Sequence, residues 1–214
     1  SFSFQVAQAY LAAEGIEFKR TSPQSYQIGT VNFPRVAPNT GGYNNLDAAG
    51  YQVMLNYRSA KAPAQTISLG DLLSDRFEPE WIRDRIVLIG TTARSIEDGL
   101  LTPYSAKYSP IEHIPGVFVQ AQMVSQILSA VKDNRPLLRS LPKWGEILCI
   151  GLSAMLGELL FFGVLYRRKI PVFLYLGVGC IVLLGFVGIG FGLLFEGIWL
   201  PIVPMGCAFA IASA

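Results

Sequence analysis

From Trp144 to its end the chain offers water almost nothing to solvate. Residues 144–166 form an apolar run of about 23 residues, enough to cross the hydrocarbon core of a bilayer. Arg167, Arg168 and Lys169 interrupt it with adjacent charges that no apolar core would bury. A second run, 170–195, stops at Glu196 and Gly197, and a third, 198–214, stands near the lower length limit for a span. Beyond residue 143 the only charged side chains are Glu146, Glu158, Arg167, Arg168, Lys169 and Glu196. Residues 1–140 are different, with mixed charge, polar turns and short apolar segments. The expected architecture is therefore an α/β extracytoplasmic domain over 1–140, followed by an all-α transmembrane bundle over 144–166, 170–195 and 198–214. The bundle makes the lipid bilayer the first partner.

Orientation follows from charge in the short loops. The basic triplet 167–169 marks the cytoplasmic side. That places the domain outside the cytoplasm of a multi-pass protein in the plasma (inner) membrane. Lys132, Arg135, Arg139 and Lys143 fall on the outer side in this arrangement, but they belong to a long folded domain, where charge counts less.

Composition removes several functions. A net charge of +2 without a basic stripe gives no footprint for nucleic acid. The three cysteines, Cys149, Cys180 and Cys207, lie one in each apolar run, where they read as small hydrophobes rather than a disulfide framework or zinc site. His113 is the sole histidine, and no Ser sits in a G-x-S-x-G elbow. No catalytic residue, metal site or cofactor is expected. Asp71, Asp75 and Asp98 resemble no calcium-binding loop. The opening residues have neither an initiating Met nor a signal pattern, so the chain reads as an excerpt of a longer protein.

Along the domain, residues 3–13 fit an amphipathic helix with Phe4, Ala7 and Leu11 on one stripe and Gly15 as its stop. Residues 26–36 have strand character, broken by Gly29 and Pro34. Residues 51–57 read as a strand ending at Arg58, and 86–89 as the clearest buried strand, closed by Gly90. Ser68 is placed to cap a short helix over 69–73 with Asp71 in its first turn. Residues 79–83 suit a further helical turn, and 118–131 a helix carrying Val124, Ile127, Leu128 and Val131. Strands alternating with helices imply layered α/β packing with parallel pairing.

Several short motifs occur in order: Asp47-Ala-Ala-Gly-Tyr51, Leu55-Asn-Tyr-Arg58, Ser68 to Leu73, Asp84 to Ala93, Asp98 with Thr102-Pro103, and Pro115-Gly-Val117 with Gln120-Ala121. With the trailing spans, this order resembles the second type of CHASE domain, the cyclase- and histidine-kinase-associated extracellular sensory domain. The phrasing is most similar to cyanobacterial members. The resemblance implies a sensor between one N-terminal span and three C-terminal ones. It further implies a cytoplasmic output, cyclase, kinase or protease, outside this chain, which itself is not expected to be an enzyme. Many members have His-Ala where this chain has Gln120-Ala121.

In open α/β sheets ligands favour the crevice beyond the strand ends. On the expected sheet those ends present Tyr57 and Arg58 on one side and Thr91 and Thr92 on the other, with Asp98 behind. Arg58, Tyr57, Thr91, Thr92 and Asp98 are the candidate ligand-binding residues, with Arg58 able to clamp a carboxylate or phosphate. The alternative is structural: Arg58 and Asp98 pair, and the threonines cap the loop. Asp47 reads as a turn residue. Glu158, near mid-span, is either part of a proton or ion path or a hydrogen-bonded residue in a helix contact. Gly188 and Gly192 have the spacing of close helix packing. The expected function is a membrane-anchored sensor of an extracytoplasmic ligand or protein, as a homo-oligomer. Its rivals are an assembly module with no small ligand and a transport component using Glu158.

Overall fold

The computed structural model describes residues 1–59, 64–93, 98–105, 113–166 and 171–213. The basic triplet 167–169, on which the orientation rests, lies outside them. The described chain packs as two units: residues 1–34 with 55–137, and residues 35–54 with 138–214.

The first unit begins with α1 (Phe2–Ala13), whose stripe is as expected: Ala7 and Leu11 are buried and Phe4 is half-buried. Burying a leucine side chain contributes about 1.5–3 kcal/mol. Gly15 ends the helix at φ +77°, a left-handed conformation natural to glycine. An antiparallel meander follows: β1 (Phe18–Ser22), β2 (Ser25–Ile28) and β3 (Val31–Pro34). Gly29 breaks the strand run as expected, between Ile28 and Val31. It turns the chain there, since Ile28 pairs with Val31 and Gly29 adopts φ +58°. Phe4 meets Phe18 and Tyr26 edge to face, which seats α1 against this sheet.

Ser68 caps α2 (Leu69–Leu73), accepting from the Asp71 amide at 3.1 Å, and a 3-10 turn spans Pro79–Trp81. β4 (Gly99–Leu100) and β5 (Ile114–Pro115) form a two-residue antiparallel ladder that leads into α3 (Gly116–Lys132). Helices α1 and α3 pack together, with Lys132 bonded to Glu14 at 2.6 Å.

Three strand expectations need correction. Residues 51–57 and 86–89 join no sheet, and no parallel pairing occurs in this unit among the described residues. Nor is 86–89 a buried core: Ile89 is 94% exposed and Val87 53%. A β-branched apolar run favours extended backbone, but a strand also needs a partner edge, and none is offered here.

The second unit holds β6 (Arg139–Ser140), α4 (Lys143–Tyr166), α5 (Val172–Phe195), β7 (Ile198–Trp199) and α6 (Ile202–Ala212). Two stretches, Lys143–Gly163 and Phe173–Phe195, are long and apolar enough to cross a membrane by length and composition. Helix α6 is shorter, at 11 residues. It packs along α4, where Gly157 admits the Phe209 carbonyl into space that a Cβ would fill. Phe186 of α5 meets Phe209 edge to face at 5.9 Å. Gly188 and Gly192 face open space: a Cβ at either would meet no atom within 4 Å, so their spacing serves no contact among the described residues. Ser140 pairs with Trp199 in a parallel two-residue ladder, and Trp199 lies over Gly41 and beside Tyr43.

Candidate functional site

Residues 55–59 belong to no regular element, bend at Arg58 and lie along α3, held by glutamine side chains instead of a strand. Gln126 Oε1 accepts from the Asn56 amide at 2.6 Å, and Gln122 Oε1 from the Arg58 amide at 2.8 Å. Gln122 Nε2 also donates to the Ser59 carbonyl at 2.7 Å. The spacing explains why this works. Alternate residues of an extended chain step about 6.6 Å, and four helical residues rise about 6 Å. Two glutamines one turn apart on a helix therefore match alternate amides of a strand. Gln122 is 4% exposed and Gln126 6%, so the two acceptors are fixed from the buried face of α3.

This backbone clamp presents Tyr57 and Arg58. Arg58 Nη1 donates to Ser125 Oγ at 3.3 Å. Arg135, just beyond the end of α3, donates through Nη2 to Asn56 Oδ1 at 3.2 Å and to the Tyr57 carbonyl at 3.1 Å. Its Nη1 is buried with no acceptor. Burial lowers the Arg135 pKa below the usual guanidinium value, and the nearby Arg58 charge lowers it further. Tyr57 stacks edge to face on Tyr104, with ring centres 5.8 Å apart. Burial, then Tyr104, pushes its phenol above the ordinary value, so Tyr57 is neutral at physiological pH. Tyr104 is fixed in turn by the Thr102 hydroxyl, which accepts its amide at 3.2 Å. Among the described residues the ion pairs of this unit are Lys19–Glu17, Arg76–Asp71, Arg83–Glu80 and Lys132–Glu14. None neutralises Arg58 or Arg135.

The other expected site residues gather elsewhere. Gly90 packs on Val117, where a Cβ would come within 2.6 Å of the valine Cβ. Thr91 and Thr92 follow it, exposed, with Thr91 Oγ1 accepting from the Ala93 amide at 3.3 Å. The Asp98 carboxylate lies against Gly116, 2.8 Å from where its Cβ would be, and the Asp98 carbonyl accepts the Gly116 amide at 2.9 Å. A carboxylate there complements the positive end of α3. Asp98 sits at the start of α3 and Thr91 and Thr92 follow the Gly90 that packs on Val117, while Arg58 is bonded to Ser125, about 13 Å further along the helix. The structure brings Tyr57 and Arg58 together and does not join them to Thr91, Thr92 and Asp98. It shows no Arg58–Asp98 pair either.

Sequence reasoning missed Gln122, Gln126, Tyr104 and Arg135. The glutamines carried a signal: two amides one turn apart on a face that also holds Val119 and Ala130. Gln120, in the Gln-Ala motif, has a buried Oε1 without a partner. In the second unit Asp47 stabilises its turn as expected, its Oδ1 accepting from the Ala49 amide at 3.0 Å. Beside it, Arg35 and residues 45–49 line an open cleft. Glu158 is exposed and meets no partner among the described residues. No group of His, Cys, Asp or Glu among them is arranged to hold a metal.

No curated protein and no solved structure matches the chain. A family match covers residues 1–159, which runs through the clamp, the Gly90–Val117 and Asp98–Gly116 contacts and most of α4. The ordered motifs, the contacts they make and this match together show that the chain belongs to the CHASE2 domain family.

Proposed function

We propose that this chain is the sensor module of a membrane receptor, with its first unit outside the cytoplasm and its output domain beyond the segment described here. Membership of a family of extracellular sensory domains supports the sensing role. Two helices fit to cross a membrane support the anchoring. The observation that carries the reading is the clamp on α3. The same helix that grips residues 55–59 runs to Lys132, and only a short segment containing Pro136 and Pro142 separates it from α4. A ligand that binds two poses of the clamp unequally would bias α3 and, through the chain, the first span. Helix shifts of about 1–2 Å are enough to switch a packed interface.

Inserting Pro after Val131 in the full-length protein tests this relay. The insertion should abolish the response of the output domain while the first unit stays folded. An unchanged response removes α3 from the signal path. Side of membrane is read separately. All native cysteines lie in the apolar helices, so a single Cys at exposed Ser74 in a Cys-free background should react with an impermeant maleimide from outside the cell.

An assembly role is the second reading. Glu158 lies on an exposed face of α4, and a carboxylate within a span costs least against protein. Covalent dimer capture through a Cys at Met155, unaffected by any solute, would favour it.

A further inference from the structure

Resting on the sensor reading above, we propose that Arg58 and Arg135 form a two-guanidinium site for a small oxyanion, a carboxylate or a phosphate, gripped beside the Tyr57–Tyr104 pair. Four observations converge on it. The guanidinium of Arg58 is held by a single hydroxyl, Ser125 Oγ, which leaves most of its donors open to solvent. Arg135 spends Nη2 on Asn56 and the Tyr57 carbonyl and keeps a buried donor, Nη1, with no acceptor. No carboxylate among the described residues pairs with either cation, although Lys132, three positions before Arg135, has Glu14. Finally, both arginines hang on one three-residue stretch, 56–58, whose backbone the glutamine clamp fixes.

A fold gains nothing from two adjacent, unneutralised guanidiniums. Each raises the free energy of the other, and the leftover donor adds to it. An anion with two acceptor oxygens removes both penalties, because the planar fork of arginine matches carboxylate and phosphate geometry. The edge-to-face Tyr57 and Tyr104 rings supply an apolar wall, which favours a small organic anion over a bare halide. Arg58 stands on the clamped segment and Arg135 on the turn after α3. A bridging anion therefore ties that segment to the exit of the helix, which links occupancy to the relay.

The test uses the full chain in lipid nanodiscs at low ionic strength, titrated by calorimetry with succinate and with inorganic phosphate. At least one should bind saturably and raise the unfolding temperature. Arg58→Gln and Arg135→Gln should each weaken that binding tenfold or more, and Arg58→Lys, which keeps the charge but loses the fork, several-fold. Lys19→Gln, a change to an exposed residue of β1, should leave it unaltered. Binding of succinate alone identifies a carboxylate ligand, and binding of phosphate alone a phosphate. If Arg135→Gln unfolds the unit, Arg58→Gln decides. Absence of saturable binding by the native chain, or binding indifferent to Arg58→Gln, overturns the proposal. The two readings fail separately. A native chain that ignores both anions but loses its output on Pro insertion keeps the sensor and loses this site. A chain that binds through Arg58 but is labelled at position 74 only from the cytosol keeps the site and loses the sensor.

Discussion

Helices α3 and α5 are inverted versions of an ordinary surface helix, in opposite senses. Helix α3 buries Gln122, Gln126 and Ser129. Helix α5 exposes Phe173, Ile181, Leu184 and Phe191, each more than half accessible. In α3 the side-chain oxygens of Gln122 and Gln126 accept from the backbone of residues 56 and 58 and the Ser129 hydroxyl donates to the Gln126 carbonyl, so their burial costs little. In α5 the apolar surface outside has no protein over it among the described residues, a pattern that suits a hydrocarbon solvent. The same departure from amphipathic patterning thus has two causes, and hydrogen-bond accounting tells them apart.

The largest test of that contrast removes the glutamines. Gln122→Leu with Gln126→Leu removes the acceptors of the half-covered Asn56 and Arg58 amides, at about 0.5–1.5 kcal/mol for each. Denaturant unfolding of the variant should show a correspondingly lower midpoint. Equal stability would mean that residues 55–59 are held by something other than α3. Next comes a matched pair of glycines. Gly157→Ala pushes a methyl into the Phe209 carbonyl and should cost about 1–3 kcal/mol in the bilayer, as overpacking does. Gly188→Ala meets open space and should fall within about 0.5 kcal/mol of the native chain. A large loss at position 188 would reveal a second molecule against α5.

The smallest effect concerns pH. Lys132, on α3, has its pKa raised, chiefly by the hydrogen bond to Glu14. A raised lysine contributes stability that is complete below its ordinary value near 10.5 and fades as pH climbs through the higher one. The stability gap between native and Lys132→Met proteins should therefore narrow above that point. Helix α5 carries no Asp, Glu, Lys or Arg with which to form a comparable ion pair.

Much of the fold was legible where the signal was local. The Ala7–Leu11 stripe, the Ser68 cap and the α3 and α4–α5 runs each depend on residues within a few turns of one another. The segments 51–57 and 86–89 were misread as strands because pairing depends on a distant edge that β-branched residues do not specify. The parallel sheet fell with them, as did the crevice that was to unite the five site residues. Tyr57 and Arg58 were legible as polar residues closing an apolar run. Arg135 was not, since it stood among basic residues ahead of a span and its partner Asn56 lies 79 positions away. Asp98 was noticed for its charge, but its place is set by Gly116, whose missing side chain makes room for it.

The short parallel ladder of β6 and β7 limits how α4 can move. The Arg139 amide, just ahead of α4, is bonded to the Gly197 carbonyl, just past α5, at 2.8 Å. The start of α4 and the end of α5 are thus clasped. A piston stroke of α4 along its own axis would have to tear that clasp or drag α5 with it. Tilting or swivelling about the clasp leaves it whole, so pivoting is the cheaper movement of α4.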